Sequence, residues 1–298
     1  MDETKRAYLE LHIAVVLFGF TAILGKWITL AAIAIVWWRV LFTWISYLFL
    51  IDFKKLFRDT SSKQIGIFLA IGIIVGLHWI TFYGAIKLSN ASIGVICLAT
   101  TSFFTALLEP LILKRPFYWY ELALGILILP GMYFIVQGVE LSYRWGILVG
   151  LISALFASLF SILNKKHIEK ASPVAISGIE MFGVWAFISI IGPFVWFLAP
   201  NMSWIPSWTD VGLLVVLALL CTTLAYVLAL RSLQHITAFA SNLVVNLEPV
   251  YGILLAIILL SEHQDLDLSF YIGVIIICAA VFSYPFIRKR FSKPELAT

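Results

Sequence analysis

Charged side chains are scarce in this sequence of 298 residues, in which Asp, Glu, Lys and Arg together make up only 12%. A soluble domain is typically about half apolar and about one quarter charged. Here 62% of the residues are hydrophobic and the mean hydropathy is +1.03, so water cannot be the main solvent of the folded chain. The composition therefore excludes a soluble globular protein and predicts one membrane domain that takes up the whole sequence.

The sequence also lacks the motifs of soluble enzymes. It has no Gly-rich phosphate-binding loop and no cysteine pair at metal-binding spacing, and its five histidines are scattered. Its three cysteines, Cys97, Cys221 and Cys278, lie within apolar segments, which favours small buried residues over a disulfide framework or a zinc site. The net charge of +4 comes from short basic clusters between apolar segments. We therefore predict no enzyme activity, no cofactor, no metal and no nucleic-acid partner.

Apolar segments follow one another along the chain, and each is close in length to the roughly 20 residues that a helix needs to span the hydrocarbon core. The stretch from Ile13 to Ile51 is too long for one crossing, and its only interruption, from Lys26 to Ala32, divides it into two. The predicted spans 1 to 10 are Tyr8–Ile28, Ile33–Ile51, Ile65–Leu88, Ala91–Leu113, Trp119–Gln137, Trp145–Leu163, Val174–Ala199, Val211–Leu230, Thr237–Leu260 and Leu268–Ile287. Span 1 is longer than the apolar core of a signal peptide, so we predict an uncleaved first helix.

The basic residues predict the orientation of these spans. Sixteen of the 20 Lys and Arg residues fall at the two termini and in alternate connections, and the exceptions are Lys26, Arg39, Lys87 and Arg144. Lys and Arg accumulate on the cytoplasmic side of membrane proteins. We therefore predict a multi-pass protein of the cell inner membrane with both termini in the cytoplasm.

The two halves of the chain echo each other. Span 3 ends with the sequence from Tyr83 to Lys87 before a tight turn, and span 8 ends with the sequence from Tyr226 to Arg231 before another. Five spans are an odd number, so a second copy enters the membrane from the opposite side. The sequence thus predicts an all-α polytopic membrane protein with ten transmembrane helices in two inverted five-helix repeats, at residues 8–137 and 145–287. Transporters that alternate access to a central site are typically built this way.

Several short motifs occur in a specific order along nearly the whole chain. They are Phe18-Gly19, Trp38-Arg39, the Ala85 to Ser92 junction, Asn246-Leu247-Glu248-Pro249 and Ser261-Glu262. In these the chain resembles the EamA family of the drug/metabolite transporter superfamily. The resemblance implies two five-helix repeats in the bacterial inner membrane that move small organic solutes such as amino acids, usually outward. It also implies a cavity lined by spans 1, 3, 4, 6, 8 and 9. Two positions depart from the family pattern, since Arg115 replaces a Glu after span 4 and Ser102 replaces a Pro.

Ionisable groups within the membrane are costly and usually face a polar cavity or a partner, so each is a candidate functional residue. The four candidates are Glu248 in span 9, His78 in span 3, Arg39 in span 2 and Glu180 in span 7. Glu248 is the strongest, because Pro249 removes a backbone donor beside it and frees a carbonyl. Its alternative role is a structural hydrogen bond between helices.

Polar and aromatic neighbours complete the predicted substrate site. The predicted substrate-binding residues are Glu248, His78, Asn246, Asn242, Tyr83, Trp79, Tyr226, Thr222 and Arg39. Several have a structural alternative: His78 can bond a neighbouring helix, Arg39 can snorkel to the outer interface or form an ion pair, and the Thr222 hydroxyl can bond its own backbone. Gly72 and Gly76, four residues apart, predict a close-packing seam in span 3.

Two other functional classes remain open from the sequence. An intramembrane enzyme would need at least two catalytic side chains at one depth, and a structural membrane protein would show no transport. The partners expected of a transporter are a small-molecule substrate and the lipid bilayer, with a monomer as the simplest assembly.

Overall fold

The computed structural model describes residues 2–89, 94, 97–135, 143–248, 250–251 and 268–291, and this part of the chain contains helices and no strands. The helices are α1 (Glu3–Trp27), α2 (Ala32–Leu48), α3 (Phe53–Asp59), α4 (Ser62–Leu88), α5 (Thr101–Leu113), α6 (Trp119–Ile135), α7 (Arg144–His167), α8 (Pro173–Leu198), α9 (Trp208–Ala218), α10 (Ala225–Leu233), α11 (Ala238–Val245) and α12 (Leu268–Phe291). A π-helix, Leu219–Leu224, joins α9 to α10. Nine of the predicted spans each overlap one of these helices. Span 8 consists of α9, the π-helix and α10. Pro249, the Ser261-Glu262 pair and residues 90–92 lie outside the described residues.

Six helical segments among the described residues are long and apolar enough to cross a membrane. They are Glu3–Gly25, Ser62–Leu88, Arg144–Lys170, Pro173–Leu198, Trp208–Leu233 and Tyr271–Phe291. A seventh results if Ala32–Leu48 and Phe53–Asp59, which meet at 92°, form one span. Cys97–Leu113 and Trp119–Phe134 are shorter apolar helices. The chain is thus an all-helical multi-pass membrane protein, while the total of ten crossings stays a prediction.

Side-chain caps determine where several helices begin. The capping oxygens accept hydrogen bonds from backbone N–H groups in the first turn, which otherwise have no partner in a helix. These caps are Asp52 for α3, Ser61 for α4, Ser172 for α8 and Thr237 for α11. The caps at Asp52 and Ser61 make α3 a separate short helix that the apolar pattern alone did not predict.

Hydrophobic packing forms two clusters, and each draws helices from both halves of the chain. The first cluster is built mainly from α2, α4, α8, α9 and α10, and the second mainly from α1, α5, α6, α11 and α12. In the first, a Cβ on Gly72 would lie 2.9 Å from the Cα atom of Glu180, so the glycine allows α4 and α8 to approach closely. A Cβ on Gly76 would lie 3.1 Å from a Val184 methyl group, and both glycines thus form the predicted seam.

Candidate functional site

A cavity of about 120 Å³ lies between the two clusters. Its wall is mostly apolar and aromatic and comes from α1, α2, α4, α5, α7, α10 and α11, together with the residues next to α5 and α11. Six of the nine predicted substrate-binding residues lie in this wall: Arg39, His78, Trp79, Tyr226, Asn242 and Glu248. The other three, Tyr83, Thr222 and Asn246, are buried and bond residues of other helices instead.

Arg39 is the cation of the cavity wall. Its side chain donates from Nε to Thr222 Oγ1 at 2.6 Å and from Nη1 to the Tyr83 hydroxyl at 3.2 Å. Its guanidinium carbon lies 4.3 Å from the centre of the Trp79 ring, an arrangement that stabilises a cation over an aromatic face. Arg39 is only 2% exposed, so the alternative of a side chain that snorkels to the outer interface is wrong. Packing of α2 against α9 and the π-helix turns the side chain inward.

The π-helix explains how span 8 holds this guanidinium. In a π-helix each backbone N–H bonds five residues back, which widens the turn and displaces carbonyl groups from their α-helical positions. The Cys221 carbonyl accepts from Arg39 Nη2 at 3.4 Å, and the Thr222 hydroxyl donates to the Leu217 carbonyl at 2.8 Å. Thr222 therefore bonds its own backbone and also accepts from Arg39, so it positions the cation without lining the cavity.

His78 reaches the cavity from α4 and is anchored on its other side by α7. Its Nδ1 atom lies 3.0 Å from the Ser153 carbonyl and 2.9 Å from Ser153 Oγ, while that hydroxyl donates to the His78 carbonyl at 2.9 Å. Since the carbonyl can only accept and the hydroxyl already donates, we infer that Nδ1 carries the hydrogen. The neutral ring then keeps Nε2 as an acceptor. The ring also packs 5.5 Å from the Phe160 ring, centre to centre.

Glu248 supplies the cavity with a carboxyl group directly after α11, and it is 9% exposed. The neighbouring asparagines bond the facing helix α5. Asn242 donates to Thr105 Oγ1 at 2.8 Å, and Asn246 donates to Ser102 Oγ at 2.6 Å. Asn246 is therefore a contact between the two halves of the chain, and the Ser at position 102, where the related pattern has Pro, accepts its hydrogen bond.

Tyr226 connects the cavity wall to Glu180, which lies behind it. The Tyr226 hydroxyl donates to Glu180 Oε2 at 2.6 Å, and Asn164 donates to the same hydroxyl at 3.2 Å. Glu180 is fully buried. Asn164 also lines the cavity. Sequence reasoning found Tyr226 but missed Asn164 as a lining residue, although its place at the polar end of an apolar segment was a usable signal.

We infer that contacts between the α1–α2 connection and the start of α9 close the cavity at one end. Both carboxylate oxygens of Asp210, at the start of α9, accept hydrogen bonds from Thr29: its backbone N–H reaches Oδ1 and its hydroxyl reaches Oδ2, each at 2.9 Å. The Trp38 indole donates to the Trp204 carbonyl at 2.9 Å. Lining residues at the other end reach Leu233, the last residue of α10. The cavity therefore extends toward the end of the bundle where α10 ends.

Arg115, the other departure from the related pattern, belongs to a separate cluster. It pairs with Glu109 at 3.0 Å and with Glu121. Both carboxylate oxygens of Glu109 accept from backbone N–H groups of Ala238 and Phe239 at the start of α11. Glu109 thus caps α11 and balances Arg115, and it does not face the cavity.

Comparisons with known proteins agree with this architecture. The family described as "EamA-like transporter family" matches residues 5–137 and 144–285. A solved crystal structure of another protein has a TM-score of 0.75 to this chain at 12% sequence identity, covering 96% of this chain and 99% of that one, which shows a shared fold. No curated protein matches the chain.

Proposed function

Since this chain belongs to the EamA-like transporter family, we propose that it moves small organic solutes that carry both a carboxylate and an ammonium group, such as amino acids. The observation that carries the proposal is the presence of Arg39 and Glu248 in the wall of one cavity. A guanidinium binds a carboxylate through directed hydrogen bonds, and a carboxyl group suits an ammonium. The aromatic remainder of the wall, with Trp79 and Phe160, suits an apolar side chain.

The hydrogen-bonded neighbours of Arg39 support binding of an anionic group. Thr222, Tyr83 and the Cys221 carbonyl hold the guanidinium in place before a substrate arrives. Such preorganisation reduces the entropy that binding costs. Arg115 pairs directly with two carboxylates. Arg39, by contrast, has no carboxylate partner among the described residues and bonds the Thr222 hydroxyl, the Tyr83 hydroxyl and a backbone carbonyl.

We propose alternating access as the mechanism, with the two hydrophobic clusters as the moving units. The main helix contacts between the halves follow the repeat. The contact of α1 with α10 corresponds to the contact of α7 with α4. The contacts α2–α8, α5–α11 and α6–α12 each join two spans that occupy the same place in the two repeats. This pairing supports ten helices in two inverted repeats, 8–137 and 145–287. Because each cluster mixes both repeats, their relative motion would open one end of the cavity and close the other.

The same proposal includes orientation and direction. With the basic connections in the cytoplasm of the inner membrane, the end closed by Asp210 and Thr29 faces outward and the cavity reaches the cytoplasmic side. That is the state in which an exporter takes up its substrate. No catalytic step is needed for this function, and we propose that the chain is not an enzyme.

Counterflow in proteoliposomes tests the proposal. Vesicles loaded with an unlabelled mixture of proteinogenic amino acids should take up labelled amino acids, and Arg39→Gln should abolish the uptake. Arg58→Gln is the matched control, because Arg58 pairs with Asp59 on the exposed helix α3 and should leave uptake unchanged. Absence of counterflow for amino acids and for other small metabolites would defeat the proposal and favour the enzyme or structural alternatives.

A further inference from the structure

The carboxyl group of Glu180 lies directly behind the cavity wall, and the described residues place no cation beside it. Oε2 accepts from the Tyr226 hydroxyl at 2.6 Å and from Asn164 at 3.4 Å. Oε1 is buried without a hydrogen-bond partner among the described residues, and the side chain is 0% exposed. The amide oxygen of Asn164 is likewise buried without a partner among them. Two buried acceptor oxygens at this site therefore receive no hydrogen bond from the described residues.

The groups packed around Glu180 are neutral or directed elsewhere. From α10 the facing group is Tyr226 and from α7 it is Asn164, while the ammonium group of the adjacent Lys165 donates to a backbone carbonyl of α10 at 2.6 Å. From α4, Gly72 lies against the backbone of Glu180, and from α2 Tyr47 packs against Gly178 and donates to another backbone carbonyl. None of these groups supplies a positive charge to the carboxylate.

A proton is the ligand that fits this site. An ionised carboxyl group without a cation is strongly destabilised in such surroundings, even with two neutral donors. A proton added to the carboxyl group removes this charge.

Tyr226 links this site to the cavity. Its hydroxyl donates to Glu180, and the same residue lines the cavity, as does Asn164. A substrate that accepts the Tyr226 hydrogen bond would withdraw the donor that stabilises the charged carboxylate. Substrate and proton would then affect each other's affinity by the same factor, since linkage is reciprocal.

We propose that Glu180 binds the proton that is coupled to transport and exchanges it with the cavity through the Tyr226 hydroxyl. The coupling rests on the proposed transport function, whereas the proton site itself does not. Glu248 then remains free to contact the substrate, and the two carboxyl groups have different tasks.

Infrared difference spectroscopy tests the proton site without any substrate. The purified protein is titrated from about pH 5 to about pH 10, which includes the range in which buried carboxyl groups of proteins titrate, and the C=O stretch of protonated carboxyl groups is recorded. Wild-type protein should lose one such band as the pH rises, and Glu180→Gln should lack that band at every pH. Tyr226→Phe should shift it, whereas Tyr47→Phe, which leaves the Glu180 hydrogen bonds in place, should not.

Transport driven by a pH gradient tests the coupling. If one proton moves for each substrate, one pH unit supports about tenfold accumulation of labelled amino acids. Glu180→Gln should lose this accumulation and keep counterflow, which needs no gradient and shows that the variant is folded. A spectrum unchanged by Glu180→Gln, a band that does not titrate, or undiminished accumulation in the variant would overturn the inference. Wild-type protein that shows the titrating band and no counterflow would instead overturn the proposed function and the coupling.

Discussion

The closed end of the cavity gives a prediction that does not depend on the substrate. Asp210 accepts four hydrogen bonds, two from Thr29 and two from Ser207, and is 1% exposed. Three of the four reach Oδ2, so an asparagine would place its amide nitrogen at Oδ1 and lose the bond from the Thr29 backbone. The N–H group of Thr29 would then face another donor. Asp210→Asn should therefore destabilise the closed end while keeping the shape of the side chain.

The size of the effect follows from that one bond. A hydrogen bond to a charged group contributes about 1.5–3 kcal/mol, which corresponds to an increase of about 10- to 150-fold in the ratio of open to closed states at this end. Thr29→Val removes only the hydroxyl bond to Oδ2. Because this hydroxyl also donates to the charged carboxylate, its loss should increase the same ratio by a similar factor of about 10 to 150. The two changes share a partner and should not be additive.

Thiol labelling measures the ratio. A single cysteine at Ala157 in the cavity wall, in a chain without the native cysteines, is treated with an impermeant reagent from the outer side. Its labelling rate should rise by the predicted factor in Asp210→Asn. Asp52→Asn, which changes another helix cap in the connection before α4, should have no effect. A single cysteine at the fully buried Ile188 reports unfolding. Equal rates at Ala157 with and without Asp210→Asn would refute the assignment of this contact as the closure.

Three further predictions concern packing, topology and the binding site. Gly72→Ala should destabilise the protein by about 1–3 kcal/mol, seen as a lower midpoint of thermal unfolding, whereas Gly66→Ala should not, because nothing lies within 4 Å of its Cβ position. A lone cysteine at Asn201 should react with an impermeant reagent from outside the cell and one at Lys54 should not; the reverse pattern would contradict the orientation. Glu248→Gln should strongly reduce amino-acid flux while membrane insertion and monodispersity stay unchanged. A variant whose flux equals that of the wild type at every pH tested would show that the charge of Glu248 is not used.

The positions of the helices could be predicted because hydropathy is a local property of the sequence. Span 7, expected at Val174–Ala199, is the helix Pro173–Leu198, and span 10, expected at Leu268–Ile287, is Leu268–Phe291. The short helix α3 was missed because its own seven residues, Phe53–Asp59, are too few and too charged to give an apolar run. Its cap at Asp52 is a sequence signal that a search for long apolar segments does not weigh.

The residues that line the cavity could be predicted in part, and their geometry could not. An ionisable residue within an apolar segment is a reliable signal, and it brought Arg39 and Glu248 into the prediction. Which face of α2 points inward depends on the π-helix of span 8, which follows from packing and has no pattern in the sequence. The partnership of Glu180 with Tyr226, 46 residues apart, likewise depends on the fold.

Span 8 contributes hydrogen-bond partners to both Arg39 and Glu180. Thr222 holds Arg39 and Tyr226 holds Glu180, and the two residues are four apart in a continuous helical segment, so they lie on similar faces of it. Any displacement of this segment relative to α2 and α8 must stretch the hydrogen bonds of the cation and of the buried carboxyl group together. A π-helix between α9 and α10 is a place where such a displacement costs little, because its wider turn can revert to α-helical geometry by a change of register. The proposed binding at Arg39 and the proposed proton exchange at Glu180 would therefore be mechanically joined, even though the two side chains bond different residues.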